Sequence, residues 1–246
     1  MASLFHNFVY QPIYNTLAAL VSAVPGGDVG LAIIAITLIV RLILFPLSMS
    51  AIKTQIAMRG IEPLLKSLRV QYKDNKEELA RKTMALFKDN KINPFASFFF
   101  ILLQFPVIIG LYLVLTAETK LTTFDPALLY SFVEVPQHVS LMFLGFLDLT
   151  GKSIVLAGIV AITQFLYSRL IILPTPEKSA DGKTTFQEDF AKSMSLQMKY
   201  VFPILLGIIA YVTSAAIALY FVVSNLFSIG QELAVRRMHQ KENGKR

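Results

Sequence analysis

The 246-residue chain is strongly apolar and carries an excess of positive charge. Hydrophobic residues make up 54% of it and charged residues only 16%, the mean hydropathy is +0.58, and the formal net charge is +7. The apolar residues form blocks long enough to cross a hydrocarbon core, which indicates a polytopic membrane protein and excludes an ordinary soluble domain. Because the chain has no cysteine, disulfides, thiolate metal sites and a lipid-modified N-terminal cysteine are excluded as well.

Segment 1–28 is predicted to form a helix that lies in the outer membrane interface, followed by a turn at Pro25, Gly26 and Gly27. Its apolar residues recur mostly at steps of three and four: Phe5, Phe8, Val9, Ile13, Leu17, Leu20 and Val24. Residues 1–24 contain no Lys or Arg. They therefore lack the basic start of a signal peptide and the Arg-rich character of a transit peptide, and we expect no cleaved targeting sequence here.

Five transmembrane spans are predicted. The first covers 29–50, the second 94–116 and the third 153–173, while the fourth and fifth share 198–234 with a tight turn near Thr213 and Ser214. Between them lie an outer loop at 117–152 and a cytoplasmic loop at 174–197, and a basic tail follows at 235–246. The expected fold class is an all-α membrane protein.

Basic residues predict the orientation. Segment 51–93 holds ten Lys or Arg, segment 174–199 holds four and the tail holds five, against only Lys120 and Lys152 on the opposite side. Because short cytoplasmic segments are enriched in Lys and Arg, we expect the N-terminus outside and the C-terminus in the cytoplasm. Membrane orientation explains this charge better than a nucleic-acid partner does, so no nucleic-acid specificity is expected.

Segment 51–93 is too charged to span a membrane and too periodic to be a linker. One apolar stripe consists of Ile61, Leu64, Leu65, Leu68 and Tyr72, and after a break at 73–75 a second consists of Leu79, Met84, Leu86 and Phe87. This pattern predicts a cytoplasmic helical hairpin. A solvated hairpin that packs only on itself and a surface that receives partners both remain open.

Arg41 stands inside the first apolar run with no other charge beside it. A guanidinium within a membrane span is costly, which makes it a functional-site hypothesis. At about 1.5 Å per residue, Gln104, Gln164 and Asn225 fall near the same depth in other spans. Thr37 and Ser224 extend the same level. Each amide could also serve only to join one helix pair, but their convergence with an unpaired arginine favours a wet cavity open toward the cytoplasm.

Three stretches of the chain resemble the common core of the YidC-type membrane protein insertases. They are LAIIAITLIVRLILFPLSMS, then IEPLLKSLRVQYKDNKEELARKTMALFKDNKINP leading into LLQFPVIIGLYLVL, and finally LQMKYVFP with ALYFVVSNLFSIGQ. The resemblance implies five transmembrane helices around a hydrophilic groove that is open to the cytoplasm and to lipid. It implies that Arg41 draws in the polar, often acidic, part of a nascent membrane protein, with Gln104 and Gln164 keeping the groove wet. The client's apolar segment would then slide into lipid.

The same resemblance implies no cofactor and no metal, and it makes the lipid bilayer, the ribosome and the secretion translocon candidate partners. A bacterial plasma membrane is the expected location. Two other classes are weighed: a small-anion transporter or channel with Arg41 as midplane ligand, and an intramembrane enzyme. His6, His138 and His239 are scattered, and HExxH, GxSxG and paired intramembrane carboxylates do not occur, so no catalytic residue is expected.

Overall fold

The fold is helical, and a computed structural model describes residues 2–73, 75–90, 92–93, 105–115, 124–171, 193 and 196–243. Its α-helices are α1 (Ala2–Phe5), α2 (Gln11–Ala23), α3 (Val29–Ile43), α4 (Phe45–Gly60), α5 (Glu62–Gln71), α6 (Lys76–Asp89), α7 (Phe105–Leu115), α8 (Ile154–Ile171), α9 (Phe202–Val212) and α10 (Ala215–Asn243). Single π-helical segments precede α2 (His6–Tyr10) and α9 (Gln197–Val201), and short 3-10 turns occupy Pro25–Gly27 and Pro126–Leu128. Most of the predicted second span and most of the predicted loop 174–197 lie outside the described residues.

Two helices are long and apolar enough to cross a membrane, at Ile154–Ile171 and Ala215–Lys241. The pair α3 and α4 adds a third if it counts as one bent span. Phe105–Leu115 and Gln197–Val212 are shorter apolar helices. The described residues therefore form an all-α membrane protein in the broad sense, while five full spans around a groove remain a prediction.

The predicted first span, 29–50, is not one straight helix. Its two helices α3 and α4 meet at Leu44 and are bent by 62° relative to each other. Pro46, in the first turn of α4, has no N–H to donate to the preceding turn, which explains why the helix breaks here. Since α4 then runs on to Gly60, the hairpin of α5 and α6 begins at Glu62 rather than at residue 51.

The N-terminal helix is packed into the protein rather than only lying along its edge. Ile13, Tyr14, Leu17, Ala18 and Val21 are buried, whereas Phe8, a member of the predicted stripe, is 76% exposed. The π-helical segment His6–Tyr10 explains this difference, because one extra residue in a turn rotates the apolar face of everything before it.

Segment 124–153 covers one end of the bundle, which we call the loop side. It contains the short antiparallel strands β1 (Met142–Phe143) and β2 (Leu147–Asp148), the one departure from an all-α fold among the described residues. The main hydrophobic core lies beneath it and includes Leu17, Ile33, Leu111, Phe124 and Tyr220. This loop-side half of the molecule is therefore apolar and closely packed.

Asp28 anchors the loop segment to the bundle. Its buried carboxylate accepts hydrogen bonds from the N–H groups of Gly30 at 2.8 Å and Leu31 at 3.2 Å, which caps α3, and its other oxygen accepts from Leu144 at 2.7 Å. Tyr14 adds a second anchor, because its hydroxyl accepts from the N–H of Asp125 at 2.6 Å. Asp28 and Tyr14 are thus hydrogen-bonded locally, whereas the buried hydroxyl of Ser214 at this end has no partner among the described residues.

Candidate functional site

Three helices that carry the predicted polar residues begin at the loop side. At the start of α10, the N–H of Ala215 donates to the carbonyl of Gly151 at 2.8 Å, and at the start of α3 the N–H of Val29 donates to the carbonyl of Ser140 at 3.0 Å. The third helix, α8, follows the loop segment directly. At 1.5 Å per residue, Arg41 lies about 18 Å along α3, and Gln164 and Asn225 each lie about 15 Å along α8 and α10. These polar groups therefore share one level of the bundle.

Direct contacts join part of this set. The Arg41 guanidinium donates to the hydroxyl of Ser224, and the Asn225 amide donates to the hydroxyl of Thr163 at 3.2 Å. Gln164 follows Thr163 and is buried on the same helix. Arg41 thus links α3 to α10, and Asn225 links α10 to α8.

The other two predicted residues stand apart from these contacts. The hydroxyl of Thr37 is buried and donates to the carbonyl of Ile33 at 2.6 Å, so it serves its own helix. Gln104 lies outside the described residues, and its place in the site stays a prediction.

Arg41 is only half-buried, and it occupies the last turn of α3. The free carbonyl groups at a helix C-terminus stabilise a positive charge there. Among the residues that the structure describes, no carboxylate forms an ion pair with it. The guanidinium therefore stands in a polar, partly open position, with capacity for further hydrogen bonds.

Beyond Arg41, away from the loop side, the helix interfaces become polar; we call this half of the molecule the tail side. Gln231 of α10 donates to the hydroxyl of Ser48 and to the carbonyl of Phe45 at 3.4 Å, which ties α10 to the start of α4. A cavity of about 30 Å³ lies here, lined by Arg41, Ser48, Ala51, Ile52, Gln55, Tyr167, Ser228, Gln231 and Glu232. Since about 10–15 Å³ of such space holds one water molecule, the cavity has room for about two.

The sequence analysis missed Glu232, Ser228, Gln231 and Thr163. On α10, the buried polar residues Ser224, Ser228, Gln231 and Glu232 are spaced by four, three and one, which places them on one helix face. That spacing was readable from the sequence. Glu232 by itself gives no such signal, because it stands near the predicted end of the fifth span, where a charge needs no special explanation.

Metal binding has no support in the described parts of the chain, where no three His, Cys, Asp or Glu side chains come together in a metal-binding group. The polar patch around Arg41 contains hydroxyls, amides, a guanidinium and the carboxylate of Glu232. Its hydroxyls, amides and guanidinium can hydrogen-bond water and carboxylates.

Comparisons with known proteins agree with the resemblance. The family model described as 60Kd inner membrane protein matches residues 20–242. The Membrane protein insertase YidC of Clostridium tetani is 30% identical over 240 residues, covering 98% of this chain and 92% of the relative. The protein of the same name from Oceanobacillus iheyensis is 30% identical over 94% of this chain and 82% of its own length.

A third relative is longer. The Membrane protein insertase YidC of Francisella tularensis subsp. novicida is 27% identical over the whole of this chain, which spans 38% of that protein. The match over residues 20–242 and the 30% identity over nearly the full length show that this chain belongs to the 60Kd inner membrane protein family, the family of the YidC-type insertases.

Proposed function

We propose that this chain is a membrane protein insertase that receives nascent membrane proteins in a polar groove around Arg41 and releases their transmembrane segments into lipid. Relatives named as membrane protein insertases, similar over 98% and 94% of this chain, support the function. The observation that carries the site assignment is the half-buried Arg41 guanidinium, which stands at the boundary between an apolar half and a polar half of the bundle.

A polar groove that ends halfway through the bundle reduces the barrier to translocation. A client's polar tail must otherwise lose its water across about 30 Å of hydrocarbon, and a wet half shortens that dry distance. The positive charge of Arg41 offsets the desolvation of a carboxylate in the tail. Burial of the client's own apolar helix in lipid then provides the driving free energy. Neither a nucleotide nor a metal takes part in this scheme, and we assign the chain no catalysed reaction.

In this proposal the loop side faces outward and the tail side faces the cytoplasm of a bacterial plasma membrane. The charge distribution supports it, because nineteen of the 23 Lys and Arg fall in segments 51–93, 174–199 and 235–246. At about 44 Å, the 29-residue helix α10 is longer than the hydrocarbon core, so its basic end with Arg236 and Arg237 would extend into the cytoplasmic interface.

The hairpin of α5 and α6 is the surface proposed to meet clients first. Neither helix buries a side chain in the protein, and Leu64, Val70 and Met84 expose apolar surface among the charges. Such a mixed surface suits transient contact with amphipathic nascent segments. The ribosome and the secretion translocon are the candidate partners at this side.

Photocrosslinking tests the site. A photoreactive residue at Gln164, which is buried in the protein and assigned by this proposal to the groove, should crosslink to the acidic tail of a ribosome-bound single-span client. The matched control is Val155 on the same helix, which is exposed near its loop-side end and should give no crosslink to that tail. Equal crosslinking from both positions, or none from Gln164, would contradict the groove.

Charge removal tests the role of Arg41. Arg41→Ala should reduce insertion of an acidic-tailed client by about tenfold or more, since a desolvated carboxylate loses its counter-charge. Arg41→Lys should retain part of the activity, because the step needs charge rather than a forked geometry. Lys152→Ala removes one exposed charge from the loop side, away from the proposed client surfaces, and is the control. If Arg41→Ala inserts every client normally in proteoliposomes, the site assignment is wrong.

The small-anion transporter has no support from the family or from the names of the relatives. A flux assay in liposomes separates the two functions directly. We expect insertion of the acidic-tailed client without anion flux, and a flux that depends on Arg41 would overturn the proposal.

A further inference from the structure

A buried carboxylate lies on the tail side of the arginine site. Glu232 is only 1% exposed, and its Oε1 accepts a hydrogen bond from Nε of Arg236 at 2.7 Å. Arg236 also donates to the carbonyl of Leu170 at the end of α8, and Arg59 donates to the same carbonyl at 2.8 Å. One oxygen of Glu232 is therefore held by a cation of the same helix, and that cation in turn joins α10 to α8.

The other carboxylate oxygen of Glu232 accepts no hydrogen bond from the described residues. Within the described residues, Oε2 of Glu232 and Oε1 of Gln55 are buried without a hydrogen-bond partner. Both side chains line the same cavity as Arg41. Because the cavity has room for about two water molecules, one water there could donate a hydrogen to each oxygen while accepting from the guanidinium. Glu232 and Arg41 thus border the same small polar space.

We propose that Glu232 is a specificity-determining residue whose carboxylate offsets the charge of Arg41 across this cavity and limits how tightly Arg41 holds an acidic client segment. This inference rests on the proposed insertase function and deepens it. The carboxylate and the client's acidic group compete for one cation. Charges separated by a small, partly desolvated cavity interact more strongly than they would in bulk water, so the competition is effective.

This competition matters because the client must leave Arg41 before its transmembrane segment can enter lipid. A half-buried arginine without any counter-charge would bind a client carboxylate more strongly and delay its departure into lipid. A carboxylate fixed in the groove lowers the local positive potential without blocking entry. Arg236 moderates this effect, because its guanidinium neutralises part of the charge of Glu232.

Two substitutions separate this role from a structural one. Glu232→Gln and Arg236→Gln break the same ion pair, but they change the net charge near Arg41 in opposite directions. The readout is the lifetime of the complex between the protein in nanodiscs and a stalled client, followed by crosslinking from position 164. Two clients are compared: one with an acidic tail, and one whose Asp and Glu are replaced by Asn and Gln.

We expect Glu232→Gln to lengthen the lifetime of the acidic complex about threefold to tenfold and Arg236→Gln to shorten it about twofold to threefold, because the positive potential rises in the first variant and falls in the second. The neutral client should respond to neither substitution. Glu232→Asp, which keeps the charge, should stay near the parent protein.

A shift of both variants in the same direction, or an equal shift for both clients, would overturn the proposal and leave Glu232 as a structural link between helices. Should Glu232→Gln fail to fold, Arg236→Gln decides alone: selective shortening with the acidic client supports the proposal, and no selectivity overturns it. Absence of any crosslink from position 164 in the parent protein would instead count against the insertase groove itself.

Discussion

The loop-side half and the tail-side half of the bundle are stabilised differently, although the same helices α3, α8 and α10 run through both. On the loop side, apolar side chains such as Leu17 and Ile33 are fully buried, and the carboxylate of Asp28 accepts hydrogen bonds from three backbone N–H groups. On the tail side, the interfaces contain hydroxyls, amides and charges around a cavity. Two of the three buried side-chain oxygens without a partner among the described residues lie here, on Gln55 and Glu232, and the third is the Ser214 hydroxyl on the loop side.

This difference indicates a division of labour. A dry, capped half holds the helices together and resists the passage of water, while a polar half can exchange its hydrogen-bond partners for those of a guest. Substitutions on the loop side should therefore change stability more than function, and substitutions on the tail side should do the reverse. The four predictions below test this contrast.

Leu17→Ala should have the largest effect on stability. The side chain is completely buried between helices, and its removal leaves a cavity. Because detergent or lipid also solvates hydrocarbon, we expect a loss of about 2–3 kcal/mol, toward the lower end of values for soluble proteins. The free energy of unfolding, measured by SDS titration from a mild detergent, checks this. Leu4→Ala, at the exposed start of the same N-terminal segment, should change the free energy of unfolding little. Equal losses for the two variants would contradict a packed N-terminal helix.

Asp28→Ala should cost somewhat less, about 2 kcal/mol, because it removes the cap of α3 and leaves the N–H of Leu144 without its acceptor. Asp28→Asn is the matched control, since its amide oxygen can still cap the helix, and it should lose only part of this stability. Thermal unfolding in detergent measures both variants. Insertion by the fraction that remains folded should stay near normal. A loss of insertion without a loss of stability would contradict the expectation that loop-side substitutions change stability more than function.

Asn225→Leu combined with Thr163→Val should show the opposite pattern. The pair removes one interhelical hydrogen bond, and such bonds in membranes contribute on average about 0.6 kcal/mol, so the stability change should be small. Insertion of an acidic-tailed client should fall about twofold to fivefold, because the groove becomes less polar. Insertion assays in proteoliposomes check this, and unchanged insertion would show that Asn225 only joins two helices.

The smallest effect is expected at the exposed hairpin. A side-chain hydrogen bond from Arg81 holds the pKa of Glu78 below its ordinary value of 4.5. Because this pKa is lower in the folded protein, the contact contributes its stability above pH 4.5 and loses it as the pH falls through the folded value. Hydrogen exchange of α6 should become slightly faster at pH 3.5 than at pH 6 after correction for intrinsic rates. Glu78→Gln should abolish that difference, and its persistence would exclude this pair as the cause.

Much of the fold follows from periodicity and charge. The apolar run from Tyr200 to Ile229 is too long for one span, and the structure divides it at Thr213 and Ser214, between α9 and α10. The bend at Leu44 was harder to anticipate, because Pro46 is compatible with the first turn of a helix and does not by itself require a break there. The π-helical segment at His6–Tyr10 has no sequence signal, so the sequence could not show that Phe8 lies outside the face that α2 buries in the protein.

The candidate site, too, could be predicted only in part from the sequence. The depth of Arg41, Gln164 and Asn225 followed from helical rise alone, because a membrane span fixes one coordinate of each residue. The partners could not be foreseen, since helix rotation decides that Arg41 contacts Ser224 and that Asn225 contacts Thr163. Sequence spacing does not determine that rotation.

The sequence by itself determined the class of protein, the level at which its polar residues lie and the family resemblance, because hydrophobicity and helical rise act along one chain. Only the tertiary structure decided that Glu232 shares a cavity with Arg41 and that Asp28 joins a distant loop to α3. Those facts depend on how separate helices turn toward one another, and side-chain packing and hydrogen bonding between elements fix that arrangement.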